Sequence, residues 1–351
     1  MRRNDGALSN AARRSSRTLT AHKPRSEDAL VAELRALIET HPVNHRILSR
    51  IGDDGAVWQP SRSHRSVVTT DALIENVHFR RDTMPVHDVG WRAMAANISD
   101  LAAMGARPLL ATVALGMPLD FPQADVLELY RGMLDVASRH GCGIAGGDLT
   151  RAPELFIAIT AIGEVRPRRV KGRGGARPGD IVAVTGALGA SRAGLHLADN
   201  ASMLNGGLRE QALAAHRRPE PRVAEGRWLA ASEHVHAMMD ISDGVSTDLA
   251  RMCVQSHCAA LLENVPVASS AVEAAKQRGE HAQAYALAGG EDYELLLAVA
   301  PRAFTHLSSR FNKRFGRPLY AIGRFREGSG PYVRQDDGEA PLPPTGWDHL
   351  A

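Results

Sequence analysis

Cysteine and lysine are both scarce in this sequence, whose 351 residues include three cysteines and four lysines. Three irregularly spaced cysteines cannot build a disulfide framework, and they are too few for a four-ligand zinc site. None of the lysines follows a glycine, so the chain has no G-x-x-x-x-G-K-[ST] phosphate loop. No G-x-G-x-x-G opens a helix after a strand, and no apolar run reaches membrane-span length. We therefore expect a cytoplasmic protein with no membrane partner and none of the common nucleotide-binding loops.

Positive and negative charges are nearly balanced, with 42 basic and 39 acidic residues. A net charge of +3 gives little reason to expect nucleic acid as a partner. Much of the positive excess lies near the start of the chain, where Asp5 is the only acid before Glu27. This segment overlaps in composition with an organelle transit peptide. We favour the simpler interpretation, a disordered basic tail over residues 1–26.

Helical and strand-like patterns alternate after the tail, which predicts a mixed α/β fold in two domains. The first domain is expected over 27–167, and the second over 168–351. Residues 166–179 are rich in proline, glycine and basic residues, as interdomain connections often are. Helices are expected over 28–40, 89–104, 124–140, 191–199, 221–232 and 243–256. Strands are expected over 56–59, 66–74, 109–117, 154–165, 180–186, 261–265, 293–299 and 319–325, with a further one ending at Asp240.

Aspartates gather where these predicted elements begin and end. The five sites are Gly52-Asp53-Asp54-Gly55, Thr69-Thr70-Asp71, Asn97 with Asp100 on one helix face, Gly146-Gly147-Asp148 after a strand, and Asp240-Ile241-Ser242-Asp243. Any one of them is more simply explained as a cap or a turn. Several carboxylates buried together, however, require neutralising cations. Hard oxygen ligands favour Mg²⁺, which usually binds together with substrate phosphates. The residues by themselves thus indicate a Mg–ATP enzyme and no more.

Eight runs of the sequence closely resemble the thiamine-monophosphate kinase family, which belongs to a superfamily with aminoimidazole ribonucleotide synthetase and selenophosphate synthetase. They keep the family's order and spacing from about residue 26 to the end of the chain. The runs are IGDDGA at 51–56, TTDALIENVHF at 69–79, ANISDLAAMGA at 96–106, GGDLTR at 146–151, RRPEPR at 217–222, MDISDG at 239–244, GGEDYEL at 289–295 and GWDH at 346–349.

The resemblance implies an aminoimidazole ribonucleotide synthetase-like fold: a dimer-forming mixed α/β domain followed by a larger α/β domain, with the active site in the cleft between them. It implies a homodimer that uses Mg²⁺ and ATP on thiamine monophosphate. The magnesium positions that it implies are Asp54, Thr69, Thr70, Asp71, Asp100, Asp148, Asp240 and Asp243, of which Asp71, Asp148 and Asp243 are expected to be catalytic. The ATP contacts that it implies are Gly147, Asp148, Arg173, Ser242 and Tyr130, and the thiamine-phosphate contacts are His78, Glu291 and Trp347.

The implied chemistry agrees with these residue types. The acceptor is already a phosphate anion, so no protein base has to deprotonate it, and direct in-line transfer from ATP needs only alignment and charge neutralisation. A cationic thiazolium suits an aromatic face with a carboxylate nearby, as Trp347 and Glu291 provide. Without the resemblance, His78 and Trp347 would be read as packing residues.

Two alternatives stay open from the sequence. One is a superfamily sibling that uses Mg–ATP on another small substrate; the lack of any cysteine before Cys142 argues against selenophosphate synthetase. The other is a non-catalytic nucleotide-binding protein, for which lost aspartates would be typical. All the matched aspartates are present.

Overall fold

The computed structural model describes residues 27–41, 45–49, 51, 55–198 and 200–347. The tail predicted over residues 1–26 and Asp54 of the first aspartate site lie outside the described residues. Within them, no helix is both long and apolar enough to cross a membrane.

The first half of the described chain is a sheet covered on one face by two helices. The sheet has the strand order β3-β6-β4-β5; β4 and β5 are parallel, and the other neighbours are antiparallel. Helices α2 and α3 pack on each other and bury the apolar face of the sheet. The elements are α1 Glu27–Glu39, β1 Ile47–Ser49, β2 Val57–Trp58, β3 Arg65–Ile74, α2 Val86–Ala103, β4 Arg107–Met117, α3 Gln123–Arg139, β5 Gly143–Arg151 and β6 Phe156–Val165.

The second half is a larger mixed sheet with helices packed against it. Its strand order is β13-β12-β9-β11-β7-β10-β8, and within the described part of this sheet only β12 and β9 pair in parallel. The elements are β7 Ile181–Val184, α4 Ala190–His196, α5 Gly206–Arg217, α6 Val223–Ala230, β8 Val235–Asp240, α7 Val245–Ser256, β9 Ala259–Leu262, α8 Ser269–Arg278, α9 Ala282–Leu287, β10 Leu295–Val299, α10 Pro301–Phe315, β11 Tyr320–Arg326, β12 Gly330–Gln335 and β13 Gly338–Pro341.

The centre of the larger sheet is apolar on both faces. Every residue of β7 and of β10 is buried, because helices or loops cover the sheet on both sides. A strand buried in this way is a continuous apolar run rather than an alternating one. The IVAV and LLLAV segments have that composition, which is why the sequence predicted both strands.

Helix α2 ends where the two halves of the chain meet. Gly105 follows it with φ +71°, and a Cβ there would lie 2.4 Å from Cβ of Ala230 on α6. Only glycine combines this left-handed backbone with so close an approach. The expected stop at Gly105 is therefore confirmed, and its cause is the packing of the second half against the end of α2.

One local prediction is wrong. Gly146-Gly147-Asp148 was expected to follow a strand, but it lies inside β5 and pairs with β4. A Cβ on Gly147 would come within 1.9 Å of the Val113 carbonyl oxygen. The glycine thus permits two strands to approach closely instead of forming a turn.

Several elements of the second half were not predicted. They are α5, α8, α9, α10, β12 and β13. The predicted domain boundary at 167/168 lies in the segment between β6 and β7, which includes a short 3₁₀ turn, Pro167–Arg169. That boundary stays a prediction.

Candidate active site

A cavity of about 720 Å³ lies between the two halves of the chain. β3 and α2 line it from the first half with Asp71 and Asp100, and the end of β8 and the loop after it contribute Asp240 and Asp243. Arg173 of the connecting segment also lines the cavity. Its volume is within the range of roughly 300–1,000 Å³ that is typical of small-molecule sites.

Strand β3 presents alternate side chains to helix α2. Thr69 donates its hydroxyl hydrogen to Oδ2 of Asp100, and Oδ1 of Asn97 accepts the backbone N–H of Asp71 at 3.1 Å. Thr70 lies on the opposite face of the strand, where its hydroxyl is bonded within the sheet. Because side chains alternate along a strand, only one of the two threonines can face the helix.

Helix α2 also reaches the second half of the chain. The Ser99 hydroxyl donates to Oδ2 of Asp240 at 2.7 Å. Both residues are buried, at 0% and 3% exposure. The bond ties the helix that carries Asp100 to the strand that ends in Asp240, so it fixes acids from different halves relative to each other.

The loop after β8 is organised by Asp248 of α7. One carboxylate oxygen of Asp248 accepts the backbone N–H groups of Ser242, Asp243 and Gly244, each at 3.1 Å. Arg251 hydrogen-bonds both Asp243 and Asp248. This network fixes the backbone on which Asp243 sits.

The acids of the cavity disfavour one another's ionisation. Burial, together with the charges of Asp100 and Asp243, raises the pKa of Asp71 to about 6. Burial also raises the pKa of Asp100, although the Thr69 hydrogen bond and the charge of Arg173 oppose the change. The pKa of Asp240 is raised well above its usual value, chiefly by burial and next by Asp100. The cavity therefore favours a bound cation.

These oxygen donors suit Mg²⁺, which keeps part of its coordination shell open, better than a metal ion enclosed entirely by protein ligands. In the described part of the chain, no three His, Cys, Asp or Glu side chains converge as a ready-made metal cage. Mg²⁺ rarely needs one, because it binds through one or two carboxylates and completes its shell with water and substrate phosphates. Buried carboxylates at the wall of an open cavity meet that requirement.

The segment GGEDYE, residues 289–294, lines the cavity beside the loop after β8, because the backbone N–H groups of Glu291 and Tyr293 donate to the carbonyls of Ser242 and Ile241 at 2.7 and 3.0 Å. Glu291 and Tyr293 have positive φ values of 61° and 49°, which non-glycine residues seldom adopt. Glu291 forms an ion pair with Arg92 of α2, whose side chain is only 2% exposed. Glu291 itself is 30% exposed and lines the cavity. A buried cation of the first half thus fixes an acid of the second.

Two further acids of this segment anchor it. Asp292 accepts the backbone N–H of Gly189 at 2.7 Å, just before α4, and burial raises the pKa of Asp292 to about 7. Glu294 is buried and hydrogen-bonds Arg222 at 2.7 Å and Arg317 at 2.5 Å. Backbone strain of this kind persists only where surrounding contacts over-determine it.

The remaining wall of the cavity carries aromatic and imidazole side chains. Nδ1 of His78 lies 3.0 Å from the backbone N–H of Ile74 and accepts it, so this nitrogen is unprotonated in the arrangement seen. Trp347 is 50% exposed, and its backbone N–H donates to the Asp243 carbonyl at 3.1 Å. The Trp347 backbone therefore lies beside Asp243, and the residue lines the same cavity as the acids.

Comparison with known proteins identifies the family. Residues 52–165 match the family described as AIR synthase related protein, N-terminal domain, and residues 177–336 match its C-terminal domain. The thiamine-monophosphate kinase of Synechococcus elongatus is 40% identical over 71% of this chain and 77% of its own. That of Rhodopirellula baltica is 36% identical over 88% and 92%. This chain belongs to the thiamine-monophosphate kinase family.

Solved structures agree with the family assignment and the expected fold. The thiamine-monophosphate kinase of Stenotrophomonas maltophilia K279a has a TM-score of 0.77 at 34% identity, over 88% of this chain and 96% of its own. AaThiL complexed with AMPPCP and TMP has a TM-score of 0.72 at 30% identity, over 92% and 96%. HypE, a hydrogenase maturation protein, reaches 0.74 at only 20% identity, which is a likeness of fold alone. The aminoimidazole ribonucleotide synthetase-like fold is confirmed.

Most site residues taken from the family pattern line one cavity. They are Asp71, Asp100, Asp240, Asp243, Arg173, Ser242, His78, Glu291 and Trp347. Thr69 joins them through its bond to Asp100. Their assigned roles stay predictions.

Four predicted residues do not join this group within the chain. Thr70 faces the other side of β3. Gly147 and Asp148 lie on β5, at the opposite edge of the sheet from Asp71, three strand spacings or roughly 14 Å away. Tyr130 is 3% exposed in the core of the first half. Within this chain its side chain therefore has almost no accessible surface for the predicted ATP contact.

Sequence reasoning missed three arginines of the cavity: Arg92, Arg192 and Arg251. Arg92 carried a usable signal, because it is a lone cation in the largely apolar helix α2. The ring of Tyr285 lies 4.3 Å from the Arg192 guanidinium carbon, which holds that side chain in place. Nothing in the local sequence marked Arg192 or Arg251.

Proposed function

We propose that this protein transfers the γ-phosphoryl group of ATP to thiamine monophosphate, with Mg²⁺, and releases ADP and thiamine diphosphate. The observation that carries the proposal is the cavity between the two halves, which carboxylates from β3, α2 and the end of β8 line together with Glu291 and Trp347. Family membership and the similar structure that holds AMPPCP and TMP support the same pair of substrates.

Asp71, Asp100, Asp240 and Asp243 are the described residues that would hold magnesium. Burial raises the pKa values of Asp71, Asp100 and Asp240, and neighbouring carboxylates add to the rise for Asp71 and Asp240, a cost that a divalent cation removes. When bound, Mg²⁺ neutralises charge on the phosphates of ATP and on the phosphoryl group being transferred.

The side chains around the acids orient the reactants. Arg173 lies close enough to Asp100 to oppose the rise in its pKa, and in the same position it offers a guanidinium to a phosphate of ATP. The hydroxyl of Ser242 lines the cavity on a backbone that Asp248 holds. The acceptor is a phosphate monoester that is largely ionised at neutral pH, so its oxygen attacks the γ-phosphorus in line without a general base.

Recognition of the thiamine moiety is proposed for the part of the cavity that Trp347, Glu291 and His78 line. Trp347 offers an exposed indole face to a thiazolium cation, and Glu291 offers a carboxylate that Arg92 fixes in direction. His78 is oriented by the Ile74 amide and donates from its other ring nitrogen. The cavity thus has an anionic-phosphate side and a cation-binding side.

The proposal includes a homodimer. Val68 is 63% exposed on the face of the small sheet away from α2 and α3. Leu48 and Val57 of the β1–β2 hairpin are 65% and 52% exposed, and they alternate with Ile47 and Trp58, which pack onto that same face. Exposed aliphatic side chains grouped in this way favour association. If the sheet of a second subunit covers this face, Asp148 would also reach an active site.

Subunit mixing tests the dimer and the role of Asp148 together. Asp71→Asn and Asp148→Asn are each expected to be inactive, and a refolded mixture should regain up to about a quarter of the parent turnover if one site uses both subunits. A mixture that stays inactive although light scattering shows dimers would contradict a shared site.

We also propose a cytoplasmic location; the three cysteines are free and buried, which supports it.

The deciding experiment follows thiamine diphosphate directly in reactions of thiamine monophosphate with Mg–ATP. Product from the parent protein, and at least about 100-fold less from folded Asp71→Asn, is the expected result. Asp120→Asn, an acid outside the cavity, is the matched control and should behave as the parent. ATP hydrolysis without thiamine diphosphate would exclude the proposed acceptor, and failure to bind ATP would exclude a kinase altogether.

A further inference from the structure

A second cavity, of about 230 Å³, lies near the junction of the two halves and is distinct from the candidate active site. Four arginines line it: Arg107 of β4, Arg166 and Arg169 of the connecting segment, and Arg227 of α6. Its lining shares no residue with the cavity that contains Asp71. Four guanidinium groups border this small volume, three of them on solvent-exposed side chains, so the cavity concentrates positive charge.

The chain supplies only one carboxylate to this cavity within its described residues, that of Glu164. Both oxygens of Glu164 are already used, because Oε2 accepts from Arg46 at 2.5 Å and Oε1 accepts from Arg107 at 2.6 Å. No described carboxylate forms an ion pair with the other three arginines. Among the described residues, Arg166 and Arg169 therefore have no ion-pair partner, and Arg227 has only the nearby charge of Glu164, which Arg46 and Arg107 already share.

The backbone segments that carry these three arginines are held near one another by packing, while the arginine side chains are solvent-exposed. Gly105, at the end of α2, would bring a Cβ within 2.9 Å of the Arg169 carbonyl and 2.4 Å of Ala230, so the connecting segment and α6 both press on it. Lys171 ties the same segment to the second half, donating to the Ser232 and Val235 carbonyls at 3.0 and 2.6 Å. Burial and the charges of Arg107 and Arg169 lower the pKa of Arg227, as expected for cations forced together.

We propose that this cavity, which we call the junction cavity, binds a phosphate or diphosphate group. Arginine presents planar, paired donors to phosphate oxygens, and several arginines together are the common arrangement for that anion. The volume is below the roughly 300 Å³ at which pockets for drug-sized ligands begin, so the recognised group is a small anion rather than a whole nucleotide. Arg227 belongs to the second half and Arg107 to the first, so the anion bridges the two.

Calorimetric titration of the full chain with inorganic phosphate and, separately, inorganic diphosphate tests the proposal, at about 0.15 M salt without added metal ions. The parent protein should bind one equivalent. Arg169→Gln with Arg227→Gln should weaken binding at least tenfold. Arg168→Gln is the matched control, because Arg168 lies in the same segment but does not line the cavity. Diphosphate binding tighter than phosphate binding would identify the diphosphate group as the ligand, and the reverse would identify a single phosphate.

Three outcomes would overturn the proposal: no binding to the parent, equal weakening in Arg168→Gln, or loss only in Arg173→Gln, which would locate the anion in the active-site cavity. Turnover without added anion should stay within about twofold of the parent in the double variant. If that variant does not fold, the single substitution Arg166→Gln replaces the double one; this side chain, like those of Arg169 and Arg227, is solvent-exposed. A rise in melting temperature with diphosphate that Arg166→Gln reduces would support the site, and an undiminished rise would refute it.

Discussion

Ser99 of α2 and Asp240 of β8 are joined by a buried hydrogen bond of 2.7 Å between the two halves of the chain. It is the point at which the helix carrying Asp100 is fixed to the strand that leads to Asp243. Asp240 is 3% exposed and its pKa is raised well above the usual value, so the Ser99 hydroxyl is a needed partner.

Ser99→Ala is predicted to destabilise the protein by about 1–3 kcal/mol, because it leaves a buried carboxyl group without its donor. Chemical denaturation measures the change. Ser138→Ala is the matched control: it removes a buried helical hydroxyl that has no hydrogen-bond partner among the described residues, and it should cost under about 1 kcal/mol. Equal losses in the two variants would mean that the bond contributes nothing.

Arg92→Gln is predicted to destabilise the protein by about 3 kcal/mol and to raise KM for thiamine monophosphate more than KM for ATP. The ion pair with Glu291 is buried on the arginine side, and breaking such a pair is costly. Arg131→Gln, which breaks an exposed pair with Glu128, should cost under about 1 kcal/mol.

A double-variant cycle separates this ion pair from simple packing. The losses from Arg92→Gln and Glu291→Gln should not add, because each removes the same interaction. Strict additivity in unfolding free energy, or equal rises of both KM values, would contradict the positioning role of Arg92.

Thr69→Ala and Thr70→Ala are predicted to differ although the two residues are neighbours. Thr69 donates to Asp100, so its loss should lower kcat/KM by about tenfold and raise the magnesium concentration needed for half-maximal rate. Thr70 is bonded within the sheet and should stay within about twofold of the parent. Steady-state kinetics across a magnesium series checks both. A larger loss of kcat/KM in Thr70→Ala than in Thr69→Ala would contradict this assignment and place Thr70 in the metal site.

Asp292 is predicted to make the folded protein less stable as pH rises from about 4 to 7. Burial raises its folded pKa to about 7 from the ordinary 3.8, so over this interval the folded state holds a proton that the unfolded state has released. Above about pH 7 both states are ionised and the contribution is constant. Asp292→Asn should flatten the decline in unfolding free energy between pH 4 and 7. Parallel curves for parent and variant would refute the shifted pKa.

Much of the local structure around the site, and the chemical class of its residues, follows from the amino-acid sequence alone. The continuous apolar runs of β7 and β10, the apolar helix α2 with its stop at Gly105, and the recurrence of aspartate in the site segments can all be read from composition and spacing. These features depend on neighbours in the chain, which is why they were predicted. The short second-half elements such as α9 and β13 were missed because their stability comes from packing rather than from a strong local pattern.

Which of these residues lie close together depends on the tertiary structure. Thr69 and Thr70 are equivalent in sequence, yet strand alternation directs one to α2 and the other away from it. Asp148 was grouped with Asp71 by motif, but strand order separates them across the small sheet. Arg92 and Glu291 are almost two hundred residues apart in sequence, and nothing local pairs them. Such relationships are set by sheet order and by packing between the halves, which depend on the whole chain at once.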